Sequence, residues 1–98
     1  MTNAIYMVRD MVAHSNSDLT VAASDNAAVR SFGLQLKASG VDRRLAADLM
    51  LVQLGTVDYH DGATYPNIYG HDCPVPVCSG VEALDYVEKG ATEDAADI

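Results

Sequence analysis

Tryptophan is absent from this chain and Phe32 is its only phenylalanine. Five tyrosines are the remaining aromatics. Basic residues are nearly as scarce, with six Lys and Arg against fourteen Asp and Glu and a formal net charge of −8. That balance argues against holding nucleic acid by bulk charge, because a phosphate backbone rewards clustered Lys and Arg. Two cysteines, Cys73 and Cys78, do not make a secreted disulfide framework, and a cytosolic compartment would keep both reduced. No apolar run approaches the roughly 18 residues of a membrane helix. The first residues lack a charged-then-apolar leader. A cytosolic protein with no membrane partner is expected, and no internal repeat is visible.

What is present is an apolar fraction of 49%, which decides against a disordered chain. Ninety-eight residues make one domain with a modest core. The domain is expected over residues 1–90. Residues 91–98 hold Glu93, Asp94 and Asp97 with little to bury, and read as an acidic frayed tail. Charge is unevenly placed. Residues 1–44 carry Arg9, Arg30, Lys37, Arg43 and Arg44 against four acids, whereas residues 45–98 carry Lys89 alone against ten.

The most apolar stretch runs from Leu49 to Tyr59. His60-Asp61-Gly62 supplies a turn behind it, so the stretch is expected to be a central strand of a hairpin whose returning arm covers 62–66 and stops at Pro66. A helix running on to Leu54 from Asp42 is the competing reading. A first strand is expected over 4–12, with Ile5 and Met7 on one face and Tyr6 and Val8 on the other. Ala13 to Asp18 reads as a polar loop, and Leu19 to Ala22 as an edge strand with Leu19 and Val21 inward. Ser24 or Asp25 caps a helix over 26–39, with Val29, Phe32 and Leu36 as its core stripe and Gly40 as its left-handed stop. Pro74 and Pro76 exclude a helix and a central strand around them. Val81 to Lys89 suits a short helix ended by Gly90. The expected fold class is α+β: a small, mainly antiparallel sheet covered on one face by one main helix, with an irregular Pro-containing C-terminal segment. Such a sheet, with unpaired edges and a limited core, is expected to complete itself as a homodimer.

Arg9, Arg30, Lys37, Arg43 and Arg44 are the candidate phosphate contacts. Tyr6, Tyr59 and Tyr65 are candidates for stacking on bases, since single-stranded DNA binding combines cations with aromatics. The plain alternative is solvated surface charge and half-buried tyrosines. His60, His71, Cys73 and Cys78 have the residue types of a zinc site, but the spacing does not suit a knuckle. Asp58, His60 and Asp61 have the types of a general-base cluster, yet no nucleophile or phosphate loop accompanies them, and a solvated turn uses the same residues. No catalysis, metal or cofactor is expected.

Three pieces in order carry a family resemblance: Ile5-Tyr6-Met7-Val8-Arg9-Asp10, then Asp25-Asn26 leading to Ala28-Val29-Arg30-Ser31-Phe32, then Asp48 to Asp58 with Asp61-Gly62 behind. Together they resemble the small nonstructural protein of gokushovirus-type microviruses, tailless phages with single-stranded DNA genomes. The resemblance covers roughly residues 5–62 and leaves out the segment around Cys73 and Cys78. It implies a protein made during infection, mostly absent from the virion, with a role in viral DNA replication through DNA binding or the switch to single-stranded progeny. Single-stranded DNA, a second copy, and a viral or host replication protein are the expected partners in the host cytoplasm. The alternative is an acidic interaction module or virion-associated component that never touches DNA.

Overall fold

Alternation organises the first strand, and Asp10 ends it. In the structure, a computed structural model that describes residues 2–59 and 65–97 (90–97 as backbone alone), β1 spans Thr2–Asp10, with Ala4 and Tyr6 buried and Ile5 and Met7 only partly so. The Asp10 carboxylate accepts from the backbone N–H groups of Val12 and Ala13, at 3.0 and 2.9 Å. That local bond reverses the chain, as Asp does in turns. The expected loop therefore contains a strand: β2, Ser15–Asn16, pairs back on Arg9 and Asp10. β3, Thr20–Ala22, lies along the same side of β1. It places Val21 opposite Ile5, and Leu19 and Val21 are exposed rather than inward. Ala22, opposite Ala4, is the side chain that meets the core, because the register sits one residue away from the expected one.

Helix α1, Asp25–Ser39, starts where the Ser24 side chain accepts from the Ala27 N–H. It stops at Gly40, whose φ of 65° is a left-handed conformation that glycine adopts without strain. Phe32 and Leu36 are buried as expected, joined by Ala28, with Val29 packed partly against them. Asp42 caps a single turn, α2 (Arg43–Ala46), and β4 (Leu49–Asp58) follows. The continuous helix to Leu54 is thus overturned. β4 is the central strand, hydrogen-bonded to β1 on one side and β5 on the other.

The described partner of β4 on this side is β5, Asn67–Ser79, paired from Asp58↔Asn67 to Met50↔Ser79. Of the expected returning arm 62–66, residues 62–64 lie outside those described, and Tyr65 and Pro66 precede the strand. Pro74 and Pro76 are accommodated because β5 is the outer strand of the order β2-β1-β4-β5, where a missing N–H disrupts little. β5 then turns directly into α3, Gly80–Asp97, through a reciprocal cap. The Glu82 N–H donates to Ser79 Oγ at 3.1 Å, and the Ser79 N–H donates to Glu82 Oε1 at 3.0 Å. α3 continues through Gly90 instead of stopping there, so 91–97 extends a helix.

The architecture is α+β, an antiparallel sheet with helices on one face. Two long helices, not one, cover that face: α1 and α3 pack on each other, and Ala83 and Leu84 of α3 join Tyr6, Phe32, Leu36, Leu51 and Cys78 in the core. The crossing is close because Gly33 has no side chain. A Cβ there would lie 2.4 Å from the Ala83 carbonyl oxygen.

Candidate nucleic-acid interface

Tyr6 alternates onto the helix-covered face of β1 and is fully buried. Its hydroxyl donates to Asp25 Oδ1 at 2.5 Å. Gln53, opposite Tyr6 on β4, donates through Nε2 to the same oxygen at 3.0 Å, and His71 Nε2 meets Gln53 Oε1 at 2.7 Å. Burial raises the Tyr6 pKa, and the bond to Asp25 raises it further. A neutral phenol locked into this chain cannot stack on a base, so Tyr6 leaves the candidate set. It acts as a structural pin between β1 and the start of α1.

The structure divides the five cations. Arg9 is on the sheet face away from the helices, sharing it with Ile5 and Met7, and its guanidinium donates to Asn16 Oδ1 at 2.9 Å. Arg30 and Lys37 are exposed on α1, and Arg43 and Arg44 are exposed on α2. Arg43 is tied to Asp85 of α3 at 2.8 Å, an exposed pair. Among the described residues, Arg30, Lys37 and Arg44 have no ion pair or side-chain hydrogen bond. Four of the cations therefore ride on one corner of the chain, residues 25–46. That stretch holds four cations and two acids, +2, within a chain of −8. Both acids are engaged, Asp25 with Tyr6 and Asp42 with the Arg44 N–H at the α2 cap.

Most exposed aromatics are elsewhere. Tyr65 is 80%, Tyr69 57% and Tyr59 45% exposed, all at the end of the sheet where β4 finishes and β5 begins, whereas Tyr86 of α3, 39% exposed, follows Asp85, the partner of Arg43. α2 precedes the other end of β4, ten residues away along an extended strand, roughly 33 Å. The cations and Tyr59, Tyr65 and Tyr69 do not form one groove. A cleft of about 610 Å³ opens between α1 and β3, floored by Val8, Ala22, Phe32 and Leu36. Its charged lining residue is Asp18, which repels an anionic strand.

Cys78 is buried opposite Leu51, and Cys73 is exposed. Burial pushes the Cys78 thiol from near 9 up to about 11, with Glu82 adding to the shift. That thiol is protonated at neutral pH and is a poor metal ligand. Among the described residues no group of three or more His, Cys, Asp and Glu is placed to hold a metal ion. His60 and Asp61 of the zinc and general-base sets lie outside the described residues. Among the described residues no helix is long and apolar enough to cross a membrane.

Two features escaped the reading of the sequence. Ser79-Gly80-Val81-Glu82 is a legible capping-box pattern. The Tyr6–Asp25 bond joins residues nineteen apart and has no local signature. With this geometry in hand, a family model described as Phage ORF5 protein matches residues 3–83. No curated protein and no solved structure matches.

Proposed function

The chain belongs to the phage ORF5 protein family, and from that premise we propose that it is a nonstructural, non-catalytic protein that serves viral single-stranded DNA replication by binding the strand in the host cytoplasm. A microvirus is the phage type its motifs resemble. The observation that carries the reading is the α1–α2 corner, where Arg30, Lys37 and Arg44 are exposed and unpaired among the described residues. Outside residues 25–46 the chain carries −10, that is −8 less +2, so a polyanion is repelled there and directed to this corner. Tyr65 and Tyr69 are at the other end of the sheet, and Tyr86 of α3 is the exposed tyrosine on the helical side, so the contact is mainly with backbone phosphates, largely indifferent to sequence and sensitive to salt.

Fluorescence anisotropy with a labelled single-stranded oligonucleotide tests this. Three phosphate contacts give a slope of about −2 in log affinity against log salt, a loss of about 20-fold between 50 and 200 mM. The triple variant Arg30→Ala, Lys37→Ala, Arg44→Ala removes binding while the fold stays intact, and Arg9→Ala on the other face leaves it unchanged. Absence of binding by the unaltered protein at 50 mM salt rejects the reading.

A further inference from the structure

All three helices contribute to the core on one side of the sheet. Cross-strand partners share a face, so the register defines what is on the other side. Ile5 stands opposite Val21, Met7 opposite Val52, and Val57 opposite Ile68. These six side chains form an apolar strip across β3, β1, β4 and β5. Val52 and Val57, in its centre, are already buried, so the exposed apolar area of the strip is at its margins, where Val21 and Ile68 are 49% and 65% exposed. Among the paired positions of this face the one charged side chain is Arg9. Alternation between Gly70 and Pro76 adds Asp72 of β5 to this face, so in a chain with fourteen acids it carries one acid and one cation, and two copies approach with little like-charge repulsion.

The areas fit a second copy. The chain exposes 6538 Å², whereas a monomeric protein of its mass exposes about 5,400 Å², an excess of about 1,100 Å². Its radius of gyration is 14.7 Å, against about 12.6 Å for a compact domain of this length. The molecule is 20 Å across its thinnest axis, the depth of one sheet and one helix layer. Three strands about 4.8 Å apart, paired over about eight residues, with the three residues of β3 beside them, present roughly 430 Å² in flat projection, or about 860 Å² for two copies. Side-chain relief adds to this, which reaches the range of specific interfaces. We infer that the apolar sheet face formed by Ile5, Met7, Val21, Val52, Val57 and Ile68 is the site of a symmetric homodimer, with two sheets stacked face to face and the helices outside. Aligned sheets pack about 10 Å apart in this manner, and a two-fold axis makes the same patch serve both partners. The DNA-binding corner is on the opposite layer and stays free, so this inference stands or falls independently of that reading.

Sedimentation equilibrium of the full chain across concentration and salt is the test. A dimer is expected whose affinity rises between 50 and 500 mM NaCl, because salt screens repulsion between two chains of −8 while apolar burial persists. DNA binding has the reverse salt dependence. Ile68→Glu and Val21→Glu, both at exposed positions, each weaken association at least tenfold while circular dichroism and the melting temperature stay near those of the parent. Leu45→Glu on α2, at a position 60% exposed on the helical side, leaves the dimer intact. A single-chain mass at every concentration, a dimer indifferent to both sheet-face variants, or an equal loss with Leu45→Glu overturns the inference.

Discussion

Tyr6 shows why residue type alone misleads about function. A tyrosine on a strand beside Arg9 has the composition of a base-stacking site, but strand alternation turns it to the helix-covered face, where Asp25 and Gln53 meet its hydroxyl. Tyr6→Phe should cost about 1–2 kcal/mol, since Asp25 is exposed and keeps its bond from Gln53, leaving no buried orphan. Urea denaturation checks this through a lowered midpoint at unchanged slope. Cys78 gives a pH prediction of definite sign. Its folded pKa, about 11, exceeds the unfolded value near 9, so its contribution is complete below pH 9 and is lost as pH rises towards 11. The loss is on the order of 2–3 kcal/mol. Denaturation midpoints at pH 8 and pH 11 should converge partly in Cys78→Ala compared with the parent. An equal alkaline loss in both proteins would contradict the assignment.

At the scale of elements, the crossing of α1 and α3 is the sensitive point. Alanine is a better helix former than glycine by about 1 kcal/mol, so Gly33→Ala would stabilise an isolated α1. Here the new methyl would lie 2.4 Å from both the Ala83 carbonyl oxygen and Val87 Cγ2. Backbone on one side cannot step away cheaply, and overpacking of this kind costs about 1–3 kcal/mol. The clash outweighs the propensity, so Gly33→Ala should lower the melting temperature, and calorimetry would read it. The strands carry the complementary lesson. The burial of Leu51, Val52 and Val57 in β4 follows from an aliphatic run with one polar member, but β5 could not be placed from its own residues. Two prolines and two cysteines conceal a strand that exists because β4 offers it a partner.

For the whole molecule, charge and shape separate two surfaces. The helical layer carries the +2 corner of residues 25–46, and the sheet layer carries the uncharged strip between Ile5 and Ile68. The two proposals predict opposite responses to salt, weaker DNA binding and stronger self-association, so a single titration with NaCl tests both. The homodimer expected from unpaired edges is proposed instead on the apolar face of the sheet.

The sequence alone determined what depends on neighbours a few residues apart: the α1 caps at Ser24 and Gly40, the Phe32–Leu36 stripe, the alternation of Ile5 to Val8, and the strand character of Leu49 to Asp58. Each follows from a local hydrogen bond or a fixed side-chain period. Tertiary structure decided the rest, namely which face of β1 the helices cover, the pairing of Arg43 with Asp85 forty-two residues on, the pin from Tyr6 to Asp25, and the face left open. Those contacts join residues far apart in the chain, and only the sheet register brings them within reach.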